Sequence, residues 1–270
     1  MASHQKQKDL IRDRFTRTAE VFGDYAVTYR VKFAESLMRQ VGARATDRVA
    51  DLACGPGTLA LRFARAVARV CGVDLTPVML ARARQTAAEE ALANLDWVLG
   101  DAQALPFADG ELDIAVTSYS LHHIPDPARV IREMARVVKR GGRVGIIDIV
   151  TPDAPGAAEA ANRIEKARDP SHTRSLGRRD FDRMLGDAGL RLLGCERVDN
   201  PRSFDHWMHV AGWHRGDAAY TETRQLMEAT VAGDLAGFHP RFAPADPGKP
   251  GEPPDIEMVN PGICLGAEKV

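Results

Sequence analysis

The sequence predicts an α/β fold built on a mostly parallel sheet, and three observations carry that prediction. Between residues 48 and 150, short apolar runs alternate with segments whose apolar residues recur at helical spacing. The links between them are short, which implies right-handed crossovers and a sheet covered by helices on both faces. The chain has 270 residues, 44% hydrophobic and 27% charged, enough for a large core.

The first 45 residues read as helix. Ile11, Phe15, Ala19 and Phe22 form one apolar stripe, and Tyr29, Phe33, Leu37 and Val41 form another within residues 25–41, with Gly42 as a stop. The run RVADLAC then gives a buried strand that ends at the Gly55-Pro56-Gly57 turn. Leu59, Phe63 and Val67 mark a helix, and VARVCGVD is a second strand ending at Asp74. Thr76 and Pro77 supply an N-cap and first helical position, followed by Leu80, Ala83 and Ala87 on one face. DWVLGD is a third strand ending at Asp101, and ELDIAVTSYS a fourth. Asp126-Pro127 opens a helix carrying Val130, Met134 and Val137, which Gly141-Gly142 should end before a fifth strand, RVGIIDIV.

Beyond residue 150 the pattern loosens. Phe181, Met184, Leu185 and Ala188 mark a helix stopped by Gly189, and LRLLGCERVD reads as a sixth strand. Residues 203–239 look helical and aromatic, and 240–255 are a Pro- and Gly-rich loop. IEMVNPGICLGAEK reads as one final strand in which Pro261 fits only at an edge or a bulge.

Composition narrows the function. Lys plus Arg is 36 and Asp plus Glu is 37, a net charge of -1 without the excess that non-specific nucleic-acid binding uses. No uncharged apolar run reaches the length of a membrane span, and the start MASHQKQKDL lacks an apolar signal core, so a cytoplasmic protein is expected. Cys54, Cys71, Cys195 and Cys264 lack C-x-x-C spacing and read as reduced thiols.

The segment VADLACGPGTLA carries the most chemistry. A strand delivers Asp51, a Gly-x-Gly turn lets a ligand approach the backbone, and a helix start presents free N–H groups. Gly55-Pro56-Gly57-Thr58-Leu59-Ala60 satisfies the dinucleotide pattern G-x-G-x-x-A, with Asp74 near the place of a ribose-binding acid. The other class that uses such a turn is S-adenosylmethionine, which has no phosphate and carries an ammonium and a sulfonium. A carboxylate at the turn suits a cation and repels a pyrophosphate, so Asp51 favours the second class. Asp74 and Asp101 add carboxylates at the tips of the second and third strands, suited to ribose hydroxyls and to an adenine amine. TSYSLHHIPDP follows the fourth strand on the same carboxyl edge, where open α/β sheets bind ligands.

Taken in order, VADLACGPGTLA, VDLTPVML, GDAQALPFADGELDIAVTSYSLHHIPDP and REMARVVKRGGRVGIIDIV resemble a class I S-adenosylmethionine-dependent methyltransferase, in the branch of the ubiquinone/menaquinone biosynthesis C-methyltransferases. The resemblance runs from about Phe15 to Leu192. It implies a Rossmann-like, seven-stranded sheet with an antiparallel last strand, helices on both faces, an N-terminal helical lid over residues 1–45, and a main domain over 46–270 with a helical insert at about 200–255. It implies S-adenosylmethionine as cofactor. Asp51, Gly55 and Gly57 would hold its methionine end and Asp74 its ribose. Leu75 and Met79 would pack near the adenine, Asp101 and Ala102 would recognise it, and Ser118 would border the methyl group. Phe22 and Tyr25 in the lid would lie near the cofactor and substrate.

Further candidates follow from chemistry. His122 and His123 stand where substrate should sit, and a neutral imidazole there can act as a base; the competing reading is a loop histidine that holds a helix start. His172 and Arg174, in the polar stretch Asp169-Pro170-Ser171-His172, are candidate substrate contacts or a capped turn. His206 and His209 have a spacing that could hold a metal, but they interleave with Phe204, Trp207, Val210 and Trp213, so the stretch reads as core and no metal site is assigned. It also leaves room for a homodimer contact. With no basic stripe, and with Ser118-Tyr119-Ser120-Leu121 where base-amine methyltransferases carry an Asn-Pro-Pro-Tyr-like tetrapeptide, a nucleic-acid substrate is not expected; the helical and aromatic insert suits a hydrophobic or aromatic small molecule, methylated on carbon or oxygen. Two alternatives remain: a nicotinamide oxidoreductase, and a protein that keeps the cofactor but catalyses a different reaction.

Overall fold

Alternation within each strand decides how the sheet is covered. In the computed structural model, which describes residues 2–19, 21, 31–244 and 253–270, β1 (Arg48–Leu52) sends Ala50 and Leu52 to one face and Val49 to the other. β4 (Leu112–Ser118) divides in the same way, Ala115 against Ile114 and Val116. Strands apolar on both sides need helices on both sides. On one face lie α5 (Pro127–Val137) and α7 (Arg178–Asp187), burying Val130, Ile131, Met134, Phe181 and Leu185. On the other lie α2 (Val31–Gln40) and α3 (Thr58–Ala64), burying Phe33, Leu37, Leu59 and Phe63.

The remaining main-sheet strands are β2 (Arg69–Asp74), β3 (Leu95–Leu99), β5 (Val138–Thr151), β7 (Leu190–Arg197) and β11 (Gly262–Lys269), with α4 (Pro77–Glu89) linking β2 to β3. The order is β3-β2-β1-β4-β5-β11-β7, with β11 antiparallel to both neighbours. This is the seven-stranded, mostly parallel sheet expected. A two-residue strand, β6 (Leu176–Gly177), extends the end of β5. Chain order reverses between β1 and β4, so the carboxyl ends of those strands flank a crevice.

A second unit sits beyond that edge. β8 (Asn200–Ser203), β9 (Arg241–Phe242) and β10 (Ile256–Asn260) form a sheet in the order β8-β10-β9. It packs with α6 (Pro155–Arg168), α8 (Phe204–Val210) and α9 (Ala218–Val231) around Ile164, Phe204, Trp207, Tyr220, Met227 and Met258. The aromatic stretch is therefore core, as its spacing suggests.

Four expectations need correction. The final strand is two strands: Pro261 has no N–H to donate and separates β10 in the small sheet from β11 in the main one. Gly141-Gly142 does not end a helix, because α5 stops at Val137 and the glycines lie in the irregular start of β5, Gly141 at φ +73°. The stretch 203–239 is two helices, broken where Gly212 and Gly216 take φ +85° and +100°. The 240–255 loop contains β9, while residues 245–252 lie outside the described residues. The helix expected over 25–41 is described only as α2, and α6 was not foreseen. Within the expected 1–45 lid, Phe33, Ala34, Leu37 and Val41 are core, and among the described residues α1 (Ala2–Arg17) overlies the crevice. No helix among the described residues is long and apolar enough to cross a membrane.

Candidate active site

The crevice is built from turns that follow successive strands. After β1, Ala53 (φ +50°) and Gly55 (φ +55°) both take left-handed backbone. Nothing lies within 4 Å of a Cβ placed on Gly55, so this backbone is open to the crevice. Gly57 (φ +83°) faces inward, where a Cβ would meet Trp97 at 2.6 Å and Ala83 at 3.0 Å; its role is close packing at the start of α3. Asp51 is fully buried beneath the turn, and its Oδ2 accepts the Ala60 N–H at 3.0 Å.

Asp74 ties this turn to the next. Its two oxygens accept the Gly55 and Thr76 N–H groups, each at 2.8 Å. Burial raises its carboxyl above the usual range, and these bonds oppose the rise. Asp101, after β3, accepts the Gln103 N–H at 2.9 Å and pairs with the Lys8 ammonium at 2.6 Å. Burial alone would raise it, but Lys8 and Gln103 hold it below the usual range. After β4, Tyr119 takes φ +51°, a strained conformation for a bulky residue of the kind that collects at functional sites.

These groups line an open crevice of about 720 Å³, its mouth included. Gly55, Asp74, Leu75, Met79, Asp101, Ala102 and His123 line the cavity, together with Ala53, Tyr119 and Ser120. Lys8, Ile11 and Phe15 cover it from α1, at the i, i+3, i+7 spacing of one helix face. Asp51, Gly57 and Ser118 do not line it. The first two lie beneath the turn, and Ser118 is the last residue of β4, one position before the chain turns into the crevice.

A second cavity of about 500 Å³ shares Phe15, Tyr119 and His123 with the first and runs toward α6 and α8. His122 lines it. Its Nδ1 lies 2.5 Å from Asp148 Oδ1, and Asp148 is 1% exposed. Asp148 Oδ1 also accepts the Ile149 N–H and its Oδ2 the Leu121 N–H, both at 2.8 Å. A saturated carboxylate of this kind fixes the imidazole's orientation and tautomer, leaving Nε2 to accept a proton. His123 differs. Burial first, then the neighbouring His122, pushes it down to about 3, so it stays neutral, with Nδ1 3.1 Å from the Ser171 hydroxyl and its ring edge against Phe15.

Two proposed substrate contacts do not reach either cavity. His172 is buried, its Nε2 2.9 Å from Asn162 Oδ1. Arg174 points outward to Asp180 at 3.0 Å, because that carboxylate sits in the first turn of α7. Tyr25 and Phe22 lie outside the described residues. Cys54 is buried, and burial together with Asp74 and Asp51 pushes its thiol well up, which suits a packing role. The described residues hold no cluster of three metal-ligating side chains. Sequence reasoning missed Lys8, Arg14, Asp148, Glu165, Arg168, Arg202 and Asn260. Only Asp148 left a signal, as a lone acid inside the apolar run RVGIIDIV.

Comparison with known proteins gives a consistent result. A family model described as a methyltransferase domain matches residues 50–146. The uncharacterized methyltransferase YcgJ of Bacillus subtilis is 31% identical over 198 residues, 73% of this chain and 78% of its own length. Its crystal structure superposes with a TM-score of 0.79 at 26% identity, over 88% of this chain and 98% of that one. The 2-phytyl-1,4-naphtoquinone methyltransferase of Synechococcus elongatus is 42% identical over 120 residues, so the chain spans 50% of that relative's length and matches it over 42% of its own. The fold is also shared, at a TM-score of 0.61 and 17% identity over 89% of this chain and 79% of that one, by the geranyl diphosphate C-methyltransferase of Streptomyces coelicolor, crystallised with S-adenosyl-L-homocysteine.

Proposed function

Given that this chain belongs to the class I S-adenosylmethionine-dependent methyltransferases, we propose that it methylates a small molecule seated in the second cavity, with His122 as general base. The observation that carries this reading is the wall the two cavities share. Phe15, Tyr119 and His123 line both, so a donor in one and an acceptor in the other meet there.

The first cavity fits the cofactor. Its lining carries two carboxylates and one ammonium, a net negative wall suited to a cation and unsuited to a diphosphate. In this reading Gly55 offers an open backbone edge to the methionine end. Asp74 accepts from the ribose hydroxyls with the lone pairs its two N–H bonds leave over. Leu75, Met79 and Ala102 pack on the adenine, and Asp101 accepts from its amine. Asp51 and Gly57 act indirectly by holding the turn, and α1 closes the site against water. When bound, S-adenosylmethionine supplies an electrophilic methyl group on a positively charged sulfur.

The protein's own contribution is alignment, exclusion of water and removal of one proton. His122 Nε2 takes the proton from a hydroxyl or an acidic carbon of the acceptor as that atom becomes nucleophilic, and Asp148 stabilises the imidazolium formed. Calorimetry tests the donor site: S-adenosylhomocysteine should bind, NAD(H) should not, and Asp101→Ala should weaken the former at least tenfold, the loss of a charged hydrogen bond. Unchanged affinity in that variant defeats the assignment. Formation of S-adenosylhomocysteine with a hydroxylated small molecule separates methyl transfer from another reaction on the same fold.

A further inference from the structure

The turn after β4 puts two imidazoles side by side. The ring centroids of His122 and His123 are 4.3 Å apart, and both residues line the second cavity. The proposed reaction uses His122 alone, although His123 lines the first cavity as well.

The hydrogen bonds around His123 fix its tautomer. Asp169 is paired with Arg14, whose Nε stands 3.2 Å away, and its Oδ1 accepts the Ser171 N–H at 2.9 Å and the Ser171 hydroxyl at 2.7 Å. An ionised carboxylate only accepts, so the single hydroxyl proton of Ser171 points to Asp169. Ser171 Oγ then meets His123 as an acceptor, and His123 Nδ1, 3.1 Å away, carries the ring's proton. Nε2 keeps its lone pair. Among the described residues, Nδ1 is the ring nitrogen of His123 that has a hydrogen-bond partner. Burial pushes the ring down to about 3, so Nε2 accepts a hydrogen bond without taking the proton.

His122 is held in the same sense by a different partner. Its Nδ1 lies 2.5 Å from Asp148 Oδ1, so Nε2 is the acceptor there too. The second cavity thus holds two imidazoles in contact, each with Nδ1 committed to the protein and Nε2 left for a ligand. The ionic side chains around them are occupied with one another. Arg14 pairs with Asp169, and Arg168 with Glu165 at 3.6 Å and with the Trp207 carbonyl at 3.1 and 3.0 Å. Arg202 is half-buried with an interaction of its own. An uncharged ligand with two neighbouring hydrogen-bond donors fits this arrangement.

We propose that the acceptor is an uncharged aromatic molecule with hydroxyl groups on two neighbouring ring positions, one at His122 Nε2 and the other donating to His123 Nε2. The inference rests on reading the adjoining cavity as the donor site and His122 as the base. The hydroxyl at His122 loses its proton to Nε2 and gains the methyl group, whose bonding electrons stay on the sulfur of S-adenosylhomocysteine. The hydroxyl at His123 keeps its proton and sets the orientation of the ring between Phe15 and Tyr119. Ser171 and Asp169 are positioning residues, because they decide which nitrogen of His123 carries the lone pair.

Calorimetry with S-adenosylhomocysteine present tests the pairing of hydroxyls. The probes are catechol, resorcinol and hydroquinone, which differ only in the spacing of two hydroxyls, and phenol. Catechol should bind about three- to tenfold more tightly than the other three, the value of one added neutral hydrogen bond. His123→Asn keeps a donor toward Ser171 and lacks Nε2, so it should bring catechol down to the level of phenol. A second measurement does not depend on that variant's stability: nitrogen-15 NMR of the histidine side chains should find His123 protonated on Nδ1, and Ser171→Ala should shift it toward the other tautomer and reduce the preference for catechol. Equal binding of the three diols, no binding of catechol at millimolar concentration, or a proton on His123 Nε2 overturns the proposal. Failure of S-adenosylhomocysteine itself to bind strikes the donor site instead, and the tautomer of His123 is decided either way.

Discussion

Replacing Asp148 with Asn keeps the shape of the side chain and removes its charge. Asp148 has two oxygens and three donors: Leu121 N–H on Oδ2, and Ile149 N–H and His122 Nδ1 on Oδ1. An amide has only one oxygen. If that oxygen stays with Ile149 and His122, the NH₂ group faces the Leu121 N–H, and a buried donor loses its acceptor. If the amide turns over, the NH₂ group faces Ile149 and His122, and the imidazole must change tautomer. Either arrangement leaves a buried donor unsatisfied, so the variant should lose about 1–3 kcal/mol of stability. It should still fold, since that is a fraction of the stability of an ordinary domain. The larger effect is on rate. The imidazolium formed at His122 loses the negative charge beside it, and general-base catalysis contributes about a hundred- to ten-thousandfold. The assay is steady-state methyl transfer, with S-adenosylhomocysteine affinity measured in parallel. kcat should fall by about a hundredfold or more, His122→Gln should fall similarly, and the double variant should fall no further. Cofactor affinity should stay within about twofold. A kcat near wild type in Asp148→Asn would refute the base assignment, as would full additivity in the double variant.

Three other perturbations probe separate links. His123 and His172, held down to about 3 and about 2 by burial, are neutral in the fold but take up protons near pH 6.5 when unfolded, so stability should fall as pH drops below about 6.5, by up to about 1.4 kcal/mol per unit for each; melting temperatures between about pH 7 and 5 should show this slope, and His123→Asn should reduce it by about half. Gly55→Val places a branched side chain on left-handed backbone and into open cavity space. S-adenosylhomocysteine affinity should drop at least tenfold at a stability cost of about 1–3 kcal/mol. Leu37→Ala removes a fully buried side chain that fits against Gly145, whose Cβ would stand 2.9 Å from Leu37 Cδ1. Denaturant unfolding should report a loss of about 2–5 kcal/mol, with cofactor affinity unchanged in the folded fraction.

Legibility in the sequence followed the range of the interactions. β1 to β4 and the helices between them could be read because local period and turn residues agree there, and the helix after β4 has its cap as well, Asp126 accepting the Arg129 N–H as an N-cap should. The glycine turn and the acids at the strand tips were legible for the same reason, since a strand followed by a turn fixes which edge of the sheet they reach. Burial was harder to read. Asp51 and Gly57 have the right spacing, but one turn of backbone separates them from the cavity, and spacing alone does not report depth. The second cavity was illegible because its lining comes from α1, α6, α8 and β10, elements far apart in sequence that meet only after folding. Arg174 shows the converse: a cation close in sequence to the site, drawn away by Asp180 six residues on.

The two cavities have opposite electrostatic character, and on the proposed reading that difference orders the reaction. Carboxylates outnumber cations around the first, and guanidinium groups outnumber carboxylates around the second. A cationic donor is drawn to the first cavity and disfavoured in the second. The wall between them is apolar or neutral, formed by Phe15, Tyr119 and a histidine that burial keeps unprotonated. The methyl group therefore moves where the protein contributes least field of its own, and the positive charge that leaves the sulfur reappears as the proton on His122, beside Asp148. Placing a positive charge at His123 would undo this, since it would repel the sulfonium across that wall. His123→Lys should accordingly weaken the binding of S-adenosylmethionine more than that of uncharged-sulfur S-adenosylhomocysteine, whereas a role for His123 in packing alone would weaken both equally.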